Sequence, residues 1–177
     1  MYTETYRIAG RSIAIESLYP DVHAYCAAYR HAGDPDFTIR ITPADIARER
    51  DKSAREDQRQ GIAPRAFPEG YLEELAVYRQ IADRMPAYDT LLIHGSAIAL
   101  DGAAYLFTAR SGTGKSTHTR FWRQTFGSRA VMINDDKPLV GLTDAGAVIY
   151  GTPYNGKHRL GENLSAPPKA IRILERG

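Results

Sequence analysis

The stretch Ala109 to Thr117, ARSGTGKST, constrains the fold most, because it stands between an apolar run, AAYLFTA, and an amphipathic one, KSTHTRFWRQTF. A strand that runs into a Gly-rich bend and then a helix directs several backbone N–H groups and the positive end of the helix dipole into one concavity, which suits a polyphosphate. Gly112 and Gly114 permit the bend. Lys115 is expected to reach the β and γ phosphates, and the hydroxyl of Ser116 to coordinate Mg2+. The usual pattern, G-x-x-x-x-G-K-[ST], begins on Gly, whereas Ala109 takes that position here, which fits a strand exit whose φ is negative. The expected phosphate-binding segment is therefore Ser111, Gly112, Thr113, Gly114, Lys115, Ser116 and Thr117, with ATP or GTP and Mg2+ as its ligands.

The neighbouring residues supply the elements that this reading needs. Short apolar runs, TLLIH, SAIAL and AAYLFTA, read as strands, and Asp101-Gly102 between the last two is a hairpin turn signal. His118, Phe121, Trp122 and Phe126 recur at helical spacing after the loop, and Gly127 follows where a helix end often takes a left-handed residue. Leu72, Leu75, Tyr78, Ala82 and Met85 form an apolar stripe on an earlier helix.

Beyond the loop, AVMINDDKP sets Asp135 and Asp136 after a buried-strand run, at the carboxyl end where open α/β sheets hold ligands. Two adjacent carboxylates can divide the work of phosphoryl transfer, one accepting a proton from the attacking hydroxyl and the other holding Mg2+ directly or through water. On spacing alone a polar turn accounts for the pair equally well, and the phosphate loop tips the balance. Which of the two is the base stays open; Asp135 is the expected base, and Ser116 and Asp136 the expected metal partners.

The first half is different in character. RSIAIES and FTIRIT alternate like strands, Val22, Tyr25, Cys26 and Tyr29 fall at helical spacing, and Thr42, Pro43 and Asp45 mark a helix start. The following RERDKSAREDQRQG, Arg48 to Gly61, has almost no apolar side chain and reads as a solvated helix end running into a mobile loop or linker. The domain expectation is a small α/β unit with a charged linker over 1–60, and a nucleotide-binding core over 61–177.

Composition excludes several classes. A net charge of +2 gives no general pull toward nucleic acid or anionic membrane, and no stretch approaches the ~20 apolar residues of a membrane span. One cysteine, Cys26, cannot form an internal disulfide, and the opening MYTETYRIAG lacks an export signal, so a cytoplasmic protein is expected. No nucleic-acid or membrane partner is expected, and the oligomeric state stays open.

HGSAIALDGAAYLFTARSGTGKST followed by INDDKP resembles the nucleotide-binding core of the HPr kinase family, a branch of P-loop proteins that includes PEP carboxykinases. The likeness covers roughly residues 91–157 and rests on the order His-Gly, hairpin, S-G-x-G-K-S, strand, Asp-Asp. It implies an α/β fold with a mixed sheet around a PEP-carboxykinase-like P-loop core, and an ATP-dependent kinase that acts on a hydroxyl, in a protein serine or a small molecule. By the same resemblance His94 enters the active site with the acid pair, and relatives continue with further helices where this chain ends; Lys157, in the loop after the acids, is a candidate to help neutralise the transferring phosphate. The second HPr-kinase signature is absent, and YGTPYNGKHR, with Gly151, Pro153, Gly156 and Lys157, is a turn-rich loop in its place. A nucleotide-binding module without turnover and a carboxykinase-like enzyme remain alternatives.

Overall fold

The computed structural model describes residues 1–110, 112–156 and 158–175, so Ser111 and Lys157, both expected at the site, lie outside the described residues. The chain forms two compact units, Met1–Asp83 and Arg84–Gly177.

In the first unit β1 (Tyr2–Ile8) and β2 (Arg11–Ser17) make an antiparallel hairpin. Its turn residues Ala9 and Gly10 have φ of 48° and 78°, the left-handed pair whose twist matches that of the flanking strands. A short helix, α1 (Asp21–Tyr25), and a 3-10 turn over Ala27–Tyr29 lead to β3 (Phe37–Arg40), which joins β2 in parallel with Ile39 opposite Ile15. Tyr6, Ile8, Ile13, Ile15 and Ile39 are fully buried. Helix α2 (Pro43–Arg59) starts at a capping box, in which Thr42 Oγ1 accepts from Asp45 N and the Asp45 carboxylate accepts from Thr42 N, worth about 1 kcal/mol.

Residues 48–59, expected to fray into a mobile linker, instead form most of α2. Arg, Glu, Lys, Gln and Ala are good helix formers, and two carboxylates anchor the segment. Glu49 pairs with Arg79, and Asp57 accepts from the backbone N–H and the guanidinium of Arg65. Arg79 belongs to α3 (Glu69–Arg84), which buries Leu72, Ala76, Val77 and Ile81. The buried stripe is thus rotated from the expected one. The cause is Glu73, fully buried, whose carboxylate accepts from Leu18 N at 2.6 Å and Tyr19 N at 2.9 Å and turns its side of the helix inward. Burial pushes the Glu73 carboxyl above its usual range, against the pull of those two amides. These links hold α3 to the first unit, so the units divide after Asp83 and not near residue 60.

The second unit opens with a 3-10 turn, Met85–Tyr88, and the strand β4 (Thr90–Leu92). The hairpin of β5 (Ser96–Leu100) and β6 (Ala103–Thr108) follows, with φ of 51° at Asp101 and 81° at Gly102. Then come α4 (Lys115–Phe126), β7 (Ala130–Asn134), β8 (Leu139–Thr143), β9 (Gly146–Tyr150), β10 (Ser165–Ala166) and β11 (Pro168–Ile173). They make two four-stranded sheets, ordered β11-β6-β5-β7 and β10-β9-β8-β4. The first is mixed, because β11 runs parallel to β6 whereas β5 is antiparallel to both β6 and β7.

Alternation along β5 and β6 gives this mixed sheet two apolar faces. One carries Ala97, Ala99, Ala104 and Leu106 against Ile149 and Ala166 of the second sheet. The other carries Ile98, Phe107 and Met132 against Trp122 and Phe126 of α4. The Trp122 ring lies 4.8 Å from Tyr105 and 5.3 Å from Phe107, and His118 meets Phe107 edge-on at 4.4 Å. α4 packs along its 118–122–126 line, so Phe121, expected on that stripe, is 54% exposed beside it. The protein is therefore α/β with mixed and antiparallel sheets. Among the described residues no helix is long and apolar enough to cross a membrane.

Candidate functional site at one edge of the mixed sheet

The register of the mixed sheet brings the sequence-predicted residues to one edge. β5 pairs antiparallel with β6 and β7 on its two sides, so β6 and β7 point the same way, and the start of β5 lies between their ends, with Ser96 opposite Phe107 and Ala97 opposite Asn134. The phosphate loop leaves β6, the acid pair leaves β7, and His94-Gly95 enters β5. Two strand spacings separate the ends of β6 and β7, about 10 Å. Hydrogen bonds tie the three segments: Thr108 Oγ1 donates to His94 O at 3.1 Å, Ser96 Oγ to Asp135 O at 3.0 Å, and Gly95 N to Asp136 O at 2.9 Å.

The loop has the backbone that its glycines allow. Gly112 and Gly114 have φ of 76° and 111°, whereas Ala109 is not among the residues with positive φ, so alanine is unstrained at the first position of the pattern. Gly114 is the N-cap of α4 and supplies no side chain to cap it. A helix start leaves its first N–H groups without intrahelical partners. Lys115 Nζ donates to Ala109 O at 3.1 Å, folding the side chain across the loop. Ser116 and Thr117 are exposed, and Thr113 is half-buried.

The acid pair is held asymmetrically. Asp136 has both oxygens engaged, Oδ1 3.3 Å from His94 Nε2 and Oδ2 3.1 Å from Lys137 Nζ. Asp135 accepts from Gly156 N at 2.6 Å through Oδ1 alone. Among the described residues its Oδ2 has no hydrogen-bond partner. Among the described residues, one open carboxylate oxygen thus stands beside a neighbour whose two oxygens are both paired.

The turn that carries both acids is bolted to the 151–164 segment. Asn134 is fully buried. Its Oδ1 accepts from Asp136 N at 2.9 Å and Lys137 N at 2.5 Å, while Nδ2 donates to Thr152 Oγ1 at 3.0 Å and to the carbonyls of Thr152 and Tyr154 at 3.3 Å. Thr152 Oγ1 donates in turn to Lys137 O at 3.1 Å. Asn155 Oδ1 accepts from Gly161 N at 3.1 Å, and Glu162 N donates to Met132 O at 3.0 Å. The backbones approach so closely that a Cβ on Gly151 would collide with Glu162 O, and one on Gly161 with the Asn155 side chain.

Sequence reasoning named His94, Asp135, Asp136 and the loop, and it singled out Gly156 only as part of a turn. It missed Ser96, Asn134, Thr152 and Asn155. Asn134 reads as the last residue of a strand, and nothing in its spacing betrays a buried amide; the Asn-Gly pair at 155–156 was the available signal.

The arrangement fits a nucleotide with a metal at its phosphates. Left-handed glycines, an uncapped helix start, a lysine poised on the loop and an exposed Ser116 hydroxyl converge at one side of the edge. Among the described residues no group of three or more His, Cys, Asp or Glu side chains is placed to hold a metal ion. Both oxygens of Asp136 are engaged, by His94 and Lys137. No protein-family model and no curated protein matches the chain.

Proposed function

We propose that the chain is an ATP- or GTP-dependent phosphotransferase, related to HPr kinases through a PEP-carboxykinase-like P-loop core, that moves the γ-phosphoryl group to a hydroxyl of a protein serine or a small molecule. One observation carries the reading. β6 and β7 deliver the phosphate loop and the acid pair to the same sheet edge, about two strand spacings apart, with His94 between them on Asp136.

Each residue then has a definite task. The loop amides and the start of α4 bind the phosphate oxygens. Lys115 leaves Ala109 O for the β and γ phosphates. Ser116 Oγ would hold Mg2+, whose charge offsets that of the phosphates. Asp135 Oδ2 takes the proton of the acceptor hydroxyl as its oxygen bonds to the γ phosphorus, and the bond to the bridging oxygen breaks to leave the nucleoside diphosphate. A positioned base of this kind contributes about 10²–10⁴-fold. Lys137 offsets the charge of Asp136, whose other oxygen lies against His94, so a second free carboxylate does not repel the transferring group.

Calorimetric titration with MgATP and MgGTP tests the first half of this reading. The parent binds at least one of them, and Lys115→Ala loses that binding while keeping its fold. Equal affinity in parent and variant would remove the phosphate-loop assignment.

A further inference from the structure

We infer that Asn134 is a positioning residue for Asp135: its side-chain amide bolts the 134–137 turn to the 152–156 segment and thereby fixes the Gly156 amide on the Asp135 carboxylate. The inference rests on the phosphotransferase reading for its catalytic consequence, but not for its geometry.

The amide of Asn134 is used at both ends. Its oxygen accepts from two successive N–H groups, Asp136 and Lys137, and so sets the backbone direction in which the acids leave β7. Its nitrogen reaches three acceptors on Thr152 and Tyr154. Thr152 closes the ring by donating to Lys137 O, and it also accepts from Tyr154 N at 3.2 Å. Gly156 lies two residues beyond Tyr154, and its N–H meets Asp135 Oδ1 at 2.6 Å. A glycine suits that place, because a Cβ would stand 3.3 Å from Asp135 Oδ2 and 3.4 Å from Asp136 Cβ.

Asn134 spans two segments that meet at a single carboxylate. A leucine or serine there would leave the Asp136 and Lys137 amides, or the Thr152 and Tyr154 carbonyls, without a partner. Small misplacements of a reacting group cost about a hundredfold in rate, so the rotamer of Asp135 is where the loss would be felt.

Two variants break the bolt from opposite sides. Asn134→Asp keeps the oxygen for the two amides and turns the donor into an acceptor facing carbonyls; Thr152→Val keeps shape and removes the hydroxyl. Proton–nitrogen NMR spectra of parent and variants follow the Gly156 amide, which a short bond to a carboxylate moves far downfield. In both variants the Gly156 signal moves upfield, kcat for phosphoryl transfer or for hydrolysis to water falls about a hundredfold, and KM for nucleotide stays within about twofold. A role in stability alone would move the melting temperature and leave kcat in the folded fraction unchanged. A Gly156 signal unmoved in both variants, or turnover at the parental rate, overturns the inference. A parent that transfers no phosphoryl group to water or acceptor instead sinks the phosphotransferase reading, and the Gly156 signal still decides the positioning claim.

Discussion

The backbone N–H of Gly156 donates a 2.6 Å hydrogen bond to Oδ1 of Asp135, 21 residues earlier in the chain. Among the described residues that contact leaves Oδ2 as the open oxygen of the acid pair, since His94 and Lys137 occupy both oxygens of Asp136. This difference in occupancy is what favours Asp135 over Asp136 as the proposed base.

Gly156→Ala probes the contact with a single methyl group. Gly156 does not have a positive φ, so alanine adds no backbone strain, and its Cβ presses on the Asp135 carboxylate from 3.3 Å. Turnover falls about tenfold, for a displacement of a few tenths of an ångström, while nucleotide affinity holds. Steady-state kinetics beside calorimetry measures both, and a parental kcat would show that the carboxylate needs no fixed place.

Lys115→Ala separates ligand binding from folding. Among the described residues the Lys115 side chain makes one hydrogen bond, to Ala109 O, at a half-buried position. Its loss costs about 1 kcal/mol of apo stability or less. The rise in melting temperature that MgATP gives the parent disappears in the variant, as linkage requires when binding is lost. Thermal scans with and without nucleotide check this.

The first unit carries its own test in Glu73. Removing its carboxylate leaves the amides of Leu18 and Tyr19, at half-buried positions, without their acceptors. Glu73→Ala therefore destabilises that unit by about 2–4 kcal/mol, and Glu73→Gln, which keeps one acceptor oxygen, by less. Urea denaturation of the two variants gives the order, and equal small losses would contradict it.

His23 predicts a pH dependence. It is buried between Tyr6, whose OH lies 2.7 Å from Nδ1, and Ser17, whose Oγ lies 2.8 Å from Nε2. Burial holds its pKa below the usual histidine value, although Glu4 nearby favours the charged form. The folded state thus binds the proton more weakly than the unfolded one. The stability contributed is full above the unfolded pKa, about 6.5, and is lost as pH falls from there toward the folded value. Glu73, raised by burial, acts in the opposite sense, losing stability as pH rises above its unfolded value of about 4.5. Comparison with His23→Gln isolates the histidine. Between pH 7 and 5 the melting temperature of the parent falls more steeply than that of the variant, and parallel curves would contradict the assignment.

Much of the fold was legible because local chemistry agreed with the global pattern. The Thr42–Asp45 capping box, the Asp101-Gly102 hairpin and the strand-loop-helix around Gly112 and Gly114 are all written in short range. What was not legible depends on distant partners. Residues 48–59 look unable to bury anything, yet Glu49 finds Arg79, 30 residues on, and the helix continues. The α3 stripe was misread because a carboxylate, Glu73, faces inward to serve two amides 54 and 55 residues away. At the site, His94 and the acid pair could be named from their order, but Asn134 and Thr152 could not, since a polar residue at a strand end has no periodicity to mark it.

In the proposed mechanism Asp135 accepts the proton of the attacking hydroxyl. The most direct measurement is single-turnover release of label from γ-labelled MgATP, to water and to a mixture of seryl peptides, by the parent and by Asp135→Asn. The variant is expected to bind the nucleotide within about twofold of the parent and to transfer at least about a hundredfold more slowly. An Asp135→Asn variant that transfers at the parental rate would contradict it.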